Sequence, residues 1–149
     1  LAQARWDKGD RAAAEALYRQ WLDFEPDNVG ARAQLGIVLF AAERYEDAYE
    51  QLDLAYAAGN RDDGVPELRA ISLAKMQRYA EAIALLAPLV EAAPQVLATT
   101  SVLADAHLQT GDRQKAAAVY EGYLAAAPAD DPNRATAERK LKELTGQPL

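Results

Sequence analysis

The sequence predicts an all-α fold built from stacked antiparallel helix pairs, and three observations lead to this prediction. Half of the residues are apolar, mainly alanine and leucine, aromatic residues make up only 7%, and strand-like clusters of β-branched residues are absent. Apolar residues recur at spacings of three and four, as in Leu35, Val38 and Leu39, which is the period of an amphipathic helix. The chain also repeats itself every 34 residues, and a fixed period of this size indicates stacked supersecondary units.

The repeat keeps small and large side chains in separate columns. The small column is Ala14, Ala48, Ala82 and Ala116; a large column is Tyr18, Leu52, Leu86 and Tyr120; and the column that ends each unit is Pro26, Asn60, Pro94 and Pro128. Helices approach each other closely only where the contact residues are small, so we expect the alanines to act as spacers. The sequence therefore predicts four repeats, at about 1–26, 27–60, 61–94 and 95–128, followed by a capping helix and tail at 129–149.

Glycine and proline divide each unit into two helices. Gly9-Asp10 and Gly111-Asp112 supply glycine where one helix must end and the chain must reverse, and the prolines end the second helix of their units. After the tail of an earlier helix at 1–8, the predicted helices are 11–24, 29–42, 45–58, 66–77, 79–92, 96–109, 113–126 and 132–145.

These columns resemble the tetratricopeptide repeat family over residues 1–128. The second unit carries Leu35-Gly36, Tyr45, Ala48 and Ala55 where the family pattern requires them, and the fourth unit carries Leu103-Ala104, Gly111, Ala116, Tyr120 and Pro128. The resemblance implies a right-handed superhelical α-solenoid of antiparallel helix pairs. It also implies a scaffold for protein–protein interaction rather than an enzyme.

Three departures from the family pattern predict local irregularity. Asn60 replaces the expected proline, so the third unit starts late with a shortened first helix. Pro88 lies inside a predicted helix, where it removes the amide that would bond to Ala84, and we expect a bend or a broken helix there. Trp21 and Tyr123 share a column with Ala55, so the spacing between neighbouring helices should vary.

The last segment reads as a capping helix with one narrow apolar stripe, Ala137, Leu141 and Leu144. Asp131 is expected to cap this helix and Pro132 to take its first position, while Gly146 and Pro148 end it. The N-terminal end has no equivalent cap. We expect the native protein to continue upstream of Leu1, or a partner to cover that end.

The chain offers little for catalysis. It has no cysteine and one histidine, His107, which we expect to be a packing residue of the fourth unit. The pairs Asp62-Asp63 and Asp130-Asp131 precede helix starts, where acids bond free amides, and neither pair has the spacing of a calcium loop. We therefore predict no enzymatic activity, no metal and no cofactor.

The net charge and the hydropathy of the chain limit the classes of partner that we expect. The formal net charge of −7 repels nucleic-acid phosphates, and no apolar run approaches the roughly 20 residues of a membrane-spanning helix. We expect a soluble protein, with cytoplasm and periplasm both open, and the alanine-rich composition suggests a bacterial source.

The resemblance implies that the first helix of each pair lines a concave groove. The groove residues are then Trp6, Gln34, Ile37, Phe40, Leu68, Ile71, Lys75, Ser101, Asp105 and Leu108. Trp6, Phe40 and Leu108 are equally consistent with core packing. This mostly apolar strip predicts that the groove binds a peptide or helix of a partner protein. The alternatives are self-association into a homo-oligomer or service as a regulatory domain of a larger protein.

Some members of the family grip acidic chaperone tails with lysine, arginine and asparagine in the groove. The matching positions here are Ala33, Gln34, Ile37, Gly64, Glu67 and Leu68. These residues offer no cationic donors, so this mode of binding is not expected.

Overall fold

The computed structural model describes residues 8–62 and 64–146, and within these ranges the chain forms eight α-helices and no strand. The helices are α1 Lys8–Phe24, α2 Val29–Ala41, α3 Tyr45–Ala57, α4 Val65–Lys75, α5 Tyr79–Ala92, α6 Leu97–Gln109, α7 Arg113–Ala126 and α8 Arg134–Thr145. The all-α prediction is confirmed, and every predicted helix from 11–24 to 132–145 has its counterpart.

Helix α1 differs from the prediction at its start. It begins at Lys8, so the turn predicted at Gly9-Asp10 is wrong and both residues are helical. Glycine permits a left-handed turn but does not require one. The predicted helix tail at 1–8 lies outside the described residues except for Lys8, which belongs to α1.

Helix α5 runs without interruption through Pro88, so the predicted break is wrong. Pro88 and Ala84 are both exposed, which leaves the Ala84 carbonyl accessible to water in place of the missing amide. The proline therefore costs a hydrogen bond without ending the helix.

The late start of the third unit is confirmed. Helix α4 is the shortest described helix, with 11 residues, and Gly64 precedes it with a φ of +73°. The guanidinium groups of Arg61 and Arg69 lie 3.5 and 4.2 Å from the centroid of the Tyr56 ring, so cation–π contacts hold this connection to α3. Of the predicted capping acids, Asp63 lies outside the described residues, and the main-chain oxygen of Asp62 accepts a hydrogen bond from Val65.

The first helices of the second, third and fourth 34-residue repeats end in the same left-handed turn. Glu43, Gln77 and Gly111, which are 34 residues apart in sequence, have φ values of 60°, 62° and 85°. The amide of the following residue, Arg44, Arg78 or Asp112, then bonds to the carbonyl five residues before it. Only the third of these turns contains a glycine, so only that turn was predicted from the sequence.

Contacts divide the chain into two compact units, Leu1–Ser72 and Leu73–Leu149. In unit 1, α2 packs against α1 and α3, and buried residues of α2, α3 and α4 form its core: Ala33, Leu35, Leu39, Ala48, Leu52, Ala55 and Val65. In unit 2, α6 packs against α5 and α7, and α7 packs against α8 around Ala104, Ala116, Tyr120, Tyr123, Ala127 and Ala137.

The alanine column is buried as expected for spacers. Ala48, Ala82 and Ala116 have no exposed surface, and Ala14 is half-buried. A tighter contact lies beside it, because a β-carbon built on Gly36 would approach the Leu52 Cγ to 2.7 Å. Helices α2 and α3 therefore meet so closely at Gly36 that an added β-carbon would force Leu52 to shift.

The capping helix α8 is present, but it does not start as predicted. Asn133 occupies the N-cap and Arg134 is the first helical residue, so the roles predicted for Asp131 and Pro132 are wrong. The Asp131 carboxylate instead accepts hydrogen bonds from the Asn133 amide and the Tyr123 hydroxyl, both at 2.8 Å. The stripe prediction is confirmed: Ala137 is fully buried, and Leu141 and Leu144 pack against the core of unit 2. Gly146 ends the helix with a φ of +71°.

Two arginines also link α7 and α8, each from the start of one helix to the end of the other. Arg134 donates hydrogen bonds to the Leu124 and Ala127 carbonyls at the end of α7, and Arg113 donates to the Glu143 and Leu144 carbonyls at the end of α8. Each cation lies at the negative end of the partner helix dipole, which stabilises the pair.

Candidate functional site

Helix α2 carries a partly exposed stripe among buried residues, and the residues Gly30 and Ala41 near its ends are exposed. Gln34, Ile37 and Phe40 follow one another at a spacing of three and remain partly exposed. The residues between them are buried: Ala33, Leu35, Gly36, Val38 and Leu39. The Phe40 ring meets Tyr45 edge to face, with centroids 5.4 Å apart, so the end of the stripe is held in place.

Helix α4 continues this pattern within unit 1. Leu68 and Ile71 are partly exposed, whereas Ala70 and Ser72 are buried. Ile37, Phe40 and Leu68 all pack against the core of unit 1 through part of their surface. The five partly exposed side chains Gln34, Ile37, Phe40, Leu68 and Ile71 are here named the unit 1 stripe, and three of them, Ile37, Phe40 and Leu68, combine core packing with solvent access. Both readings of Phe40 made from the sequence therefore apply to it.

The predicted residues of α6 lie in unit 2 and differ from one another. Asp105 is exposed, while Ser101 and Leu108 are partly exposed, and Leu108 packs against the core of its unit. Burial raises the pKa of the Tyr120 hydroxyl, and a hydrogen bond with Ser101 opposes that rise. Ser101 therefore also serves the core.

A cleft of about 400 Å³ brings two of the predicted residues together in unit 2. Lys75 and Asp105 line it beside Tyr79, Val102 and Gln109. The latter three were not predicted from the sequence, although Val102 lies three residues before Asp105 and so on the same face of α6. Opposite charges and an aromatic ring make this cleft suitable for polar groups of a peptide. Trp6, the remaining predicted residue, lies outside the described residues.

An exposed apolar stripe on α1 was not predicted as a functional surface. Leu17, Trp21 and Phe24 have 58, 46 and 80% of their surface accessible. Trp21 shares its column with Ala55 and Tyr123, both of which are fully buried. The same repeat position is therefore a core residue in the second and fourth repeats and a surface residue in the first repeat.

His107 is a packing residue, as expected, with 9% of its surface exposed. Burial lowers the pKa of its imidazole, Lys115 lowers it further, and Asp112 acts in the opposite direction. Over residues 8–62 and 64–146, no group of three or more histidine, aspartate or glutamate side chains is placed to hold a metal ion. In the same ranges, none of the helices has the length and apolar character needed to cross a membrane.

Paired helices with one buried face and one accessible stripe define a helical-repeat interaction module. The chain belongs to the tetratricopeptide repeat family: one model of this repeat matches residues 5–71 and a second matches residues 67–131. Tetratricopeptide repeats mediate protein–protein interactions, and the functional class predicted from the sequence is confirmed at that level.

Known proteins agree with this assignment. The chain is 34% identical over 96 residues to the Hsp70-Hsp90 organizing protein of Triticum aestivum, a match covering 64% of this chain but only 16% of that protein. Among solved structures, a MamA protein superposes with a TM-score of 0.78 and 20% identity over 93% of this chain and 75% of that one. YrrB, a tetratricopeptide repeat protein with an unusual peptide-binding site, gives a TM-score of 0.76 and 18% identity over 93% and 69% of the two chains. These likenesses confirm the predicted α-solenoid class.

Proposed function

We propose that the chain binds a peptide or helix of a partner protein, with the unit 1 stripe as its apolar contact surface. The observation that carries this proposal is the pattern along α2, where Gln34, Ile37 and Phe40 keep solvent access beside the buried residues Leu35, Gly36, Val38 and Leu39. Burying an exposed isoleucine against a partner contributes about 1.5–3 kcal/mol, so a few such contacts supply useful affinity.

The cleft lined by Lys75 and Asp105 supports a polar contribution from unit 2. A cation and an anion beside the Tyr79 ring offer a hydrogen-bond donor, an acceptor and an aromatic surface. Charged pairs of this kind contribute more to specificity than to affinity. Unit 2 would then offer a polar contact of its own, independent of the apolar contact offered by unit 1.

The proposed ligand segment is not an acidic tail of the kind bound by some members of the family. The wheat relative is named for Hsp70 and Hsp90, but the positions at which tail-binding members of the family carry cationic donors are occupied here by Ala33, Gln34, Ile37, Gly64, Glu67 and Leu68. A bound carboxylate would meet Glu67 instead of an arginine or lysine. We therefore propose an apolar ligand segment.

The test compares partner capture by matched variants of the full chain. Ile37→Asp combined with Ile71→Asp should reduce capture from a lysate of the source organism by at least about tenfold, because charged groups replace apolar anchors. Leu54→Asp is the control, since Leu54 is also an exposed apolar side chain, at 45%, but lies on α3 outside the stripe. Circular dichroism confirms that each variant stays helical. Equal capture by the double variant and the control would contradict the proposal.

Self-association is the second candidate function, and the exposed stripe of α1 favours it. Leu17, Trp21 and Phe24 leave apolar surface in water that pairing with a second copy would remove. Light scattering across a concentration series should then give a mass above that of the monomer, and Trp21→Ser with Phe24→Ser should restore the monomer. A monomer at every concentration would exclude this candidate.

A further inference from the structure

A second cleft, of about 370 Å³, lies in unit 2 and contains none of the predicted groove residues. Helices α5 and α7 supply its walls, and the buried residues Leu103 and His107 of α6 line it from behind. Its volume falls in the range of roughly 300–1,000 Å³ that is typical of ligand sites. We name it the His107 cleft.

The His107 ring lines this cleft, and its nitrogens are accessible to water rather than buried without a partner. Only 9% of the residue is exposed, yet within the described part of the chain neither ring nitrogen has a hydrogen bond. Its nitrogens are also not sealed inside the protein, because the described residues contain no fully enclosed side-chain nitrogen that lacks a partner. Because His107 lines the cleft, its accessible nitrogens are available to a group that binds there. Such a group is costly to leave unsatisfied when a ligand displaces water.

The walls and rim restrict what the cleft can accept. The walls carry apolar side chains such as Ala87, Val90 and Val119. At the rim, Glu91 and Lys115 have opposite charges, and the Lys115 ammonium is already paired with Asp112 at 2.8 Å. An anionic ligand would face Glu91 and Asp112 without a free cation. The site therefore favours a neutral, largely apolar group with one polar tip.

Space for a ring is available next to Gly122. This glycine lies inside α7, and a β-carbon added to it would meet no atom within 4 Å. The absent side chain thus keeps the cleft open at the wall that faces solvent.

We infer that the His107 cleft receives a tyrosine side chain of a partner protein, with its hydroxyl hydrogen-bonded to the His107 imidazole. Tyrosine combines a large apolar ring with one polar tip that requires a partner when buried. Its hydroxyl both donates and accepts, so it satisfies a neutral imidazole whichever nitrogen carries the proton, whereas the indole of tryptophan only donates. Phenylalanine would bury the imidazole unsatisfied. This site is additional to the unit 1 stripe and goes beyond the proposed function.

The test titrates the full chain with two neutral probes that differ by one oxygen, N-acetyl-tyrosinamide and N-acetyl-phenylalaninamide. The tyrosine probe should cause saturable shifts of the Val119 and Gly122 amide signals in NMR spectra. It should bind roughly three- to tenfold more tightly than the phenylalanine probe, the difference expected for one hydrogen bond. Equal affinity of the two probes, or shifts that do not saturate, would overturn the inference.

Two variants separate shape from hydrogen bonding. Gly122→Leu should fill the cleft and abolish the shifts, and it should remain folded because leucine favours helix more than glycine does. His107→Phe should bring the two probes to the same affinity, because it removes the hydrogen bond while keeping a ring. The Ile37→Asp, Ile71→Asp variant should bind the tyrosine probe as the unchanged chain does, so failure at one surface is distinguishable from failure at the other. Tyrosine-probe binding unchanged by Gly122→Leu would place the ligand elsewhere and refute the site.

Discussion

At the residue scale, Gly36 has the least space for a side chain among the glycines of the described residues, because it faces Leu52 of the neighbouring helix. The β-carbon position of Gly36 lies 2.7 Å from the Leu52 Cγ and 3.2 Å from the Leu52 backbone nitrogen. The side chain has no room to retreat, because Leu52 is fully buried. The backbone atoms cannot move without shifting α3.

Gly36→Ala should therefore lower the free energy of unfolding by about 1–3 kcal/mol, although alanine is the better helix former. Chemical denaturation of the two proteins measures the difference. Gly122→Ala is the matched control, since its added methyl group meets nothing and should be neutral or stabilise the chain by up to about 1 kcal/mol. A similar response at both glycines would show that packing does not decide the effect at Gly36.

The single histidine should make stability depend on pH. Because burial lowers its pKa below 6.5, the folded chain binds the proton less readily than the unfolded chain. The free energy of unfolding should then hold above pH 6.5 and fall as the pH drops below it, by at most about 1.4 kcal/mol per pH unit. Glu91, Asp112 and Lys115 are the charged groups around this ring.

His107→Gln provides the comparison for that measurement, because an amide does not titrate. Urea denaturation of both proteins above and below pH 6.5 should give a slope for the unchanged chain that the variant lacks. An identical slope in the two proteins would assign the pH dependence to other groups.

At the scale of the helical element, the three left-handed turns share a backbone but not a residue type. Glu43 and Gln77 adopt a conformation that costs a residue with a β-carbon about 1–2 kcal/mol, and Gly111 adopts it freely. The backbone hydrogen bonds to carbonyl oxygens that close these turns show that the fold imposes this geometry. The first two turns therefore carry local strain.

Opposite substitutions at equivalent turns should have opposite effects. Gln77→Gly should raise the free energy of unfolding by up to about 1 kcal/mol, while Gly111→Ala should lower it by about 1–2 kcal/mol. Thermal denaturation followed by circular dichroism gives both values. Both residues are exposed, so lost packing does not obscure the result. Changes of the same sign would mean that the turn geometry is not the controlling factor.

At the scale of the whole molecule, the excess of acidic side chains predicts weak attraction to nucleic acids. The chain has 16 basic and 23 acidic side chains. We expect no retardation of duplex DNA or RNA by the full chain in gel-shift experiments at physiological salt, because long-range repulsion opposes contact with phosphates. A retarded band that weakens with added salt would contradict this expectation.

The repeat period and the helical spacing were sufficient to predict the helices within residues 8–62 and 64–146, because both depend on patterns that every repeat shares. The errors came where one residue type permits several structures. Gly9 joined a helix, Pro88 left a helix intact, and Asp131 bonded to Tyr123 instead of capping α8. The division into four repeats and the groove as a continuous surface remain predictions.

The candidate sites were less predictable than the fold, since exposure depends on neighbours distant in sequence. The family resemblance pointed to Gln34, Ile37 and Phe40 on α2, and all three are partly exposed, because their spacing of three places them on one face of that helix. The His107 cleft was not predictable, because it depends on three helices and on the absence of a side chain at Gly122. The exposure of Trp21 was likewise not predictable from its column, because Ala55 and Tyr123 in the same column are fully buried.

The fit of Leu52 over Gly36 has an evolutionary consequence. An alanine at position 36 would force the Leu52 side chain to shift, so a smaller residue at position 52 should relieve the cost of that first substitution. Among homologues, the two positions should therefore covary, and this pair would report the seam between α2 and α3 even in sequences too divergent for the repeat period to be recognised.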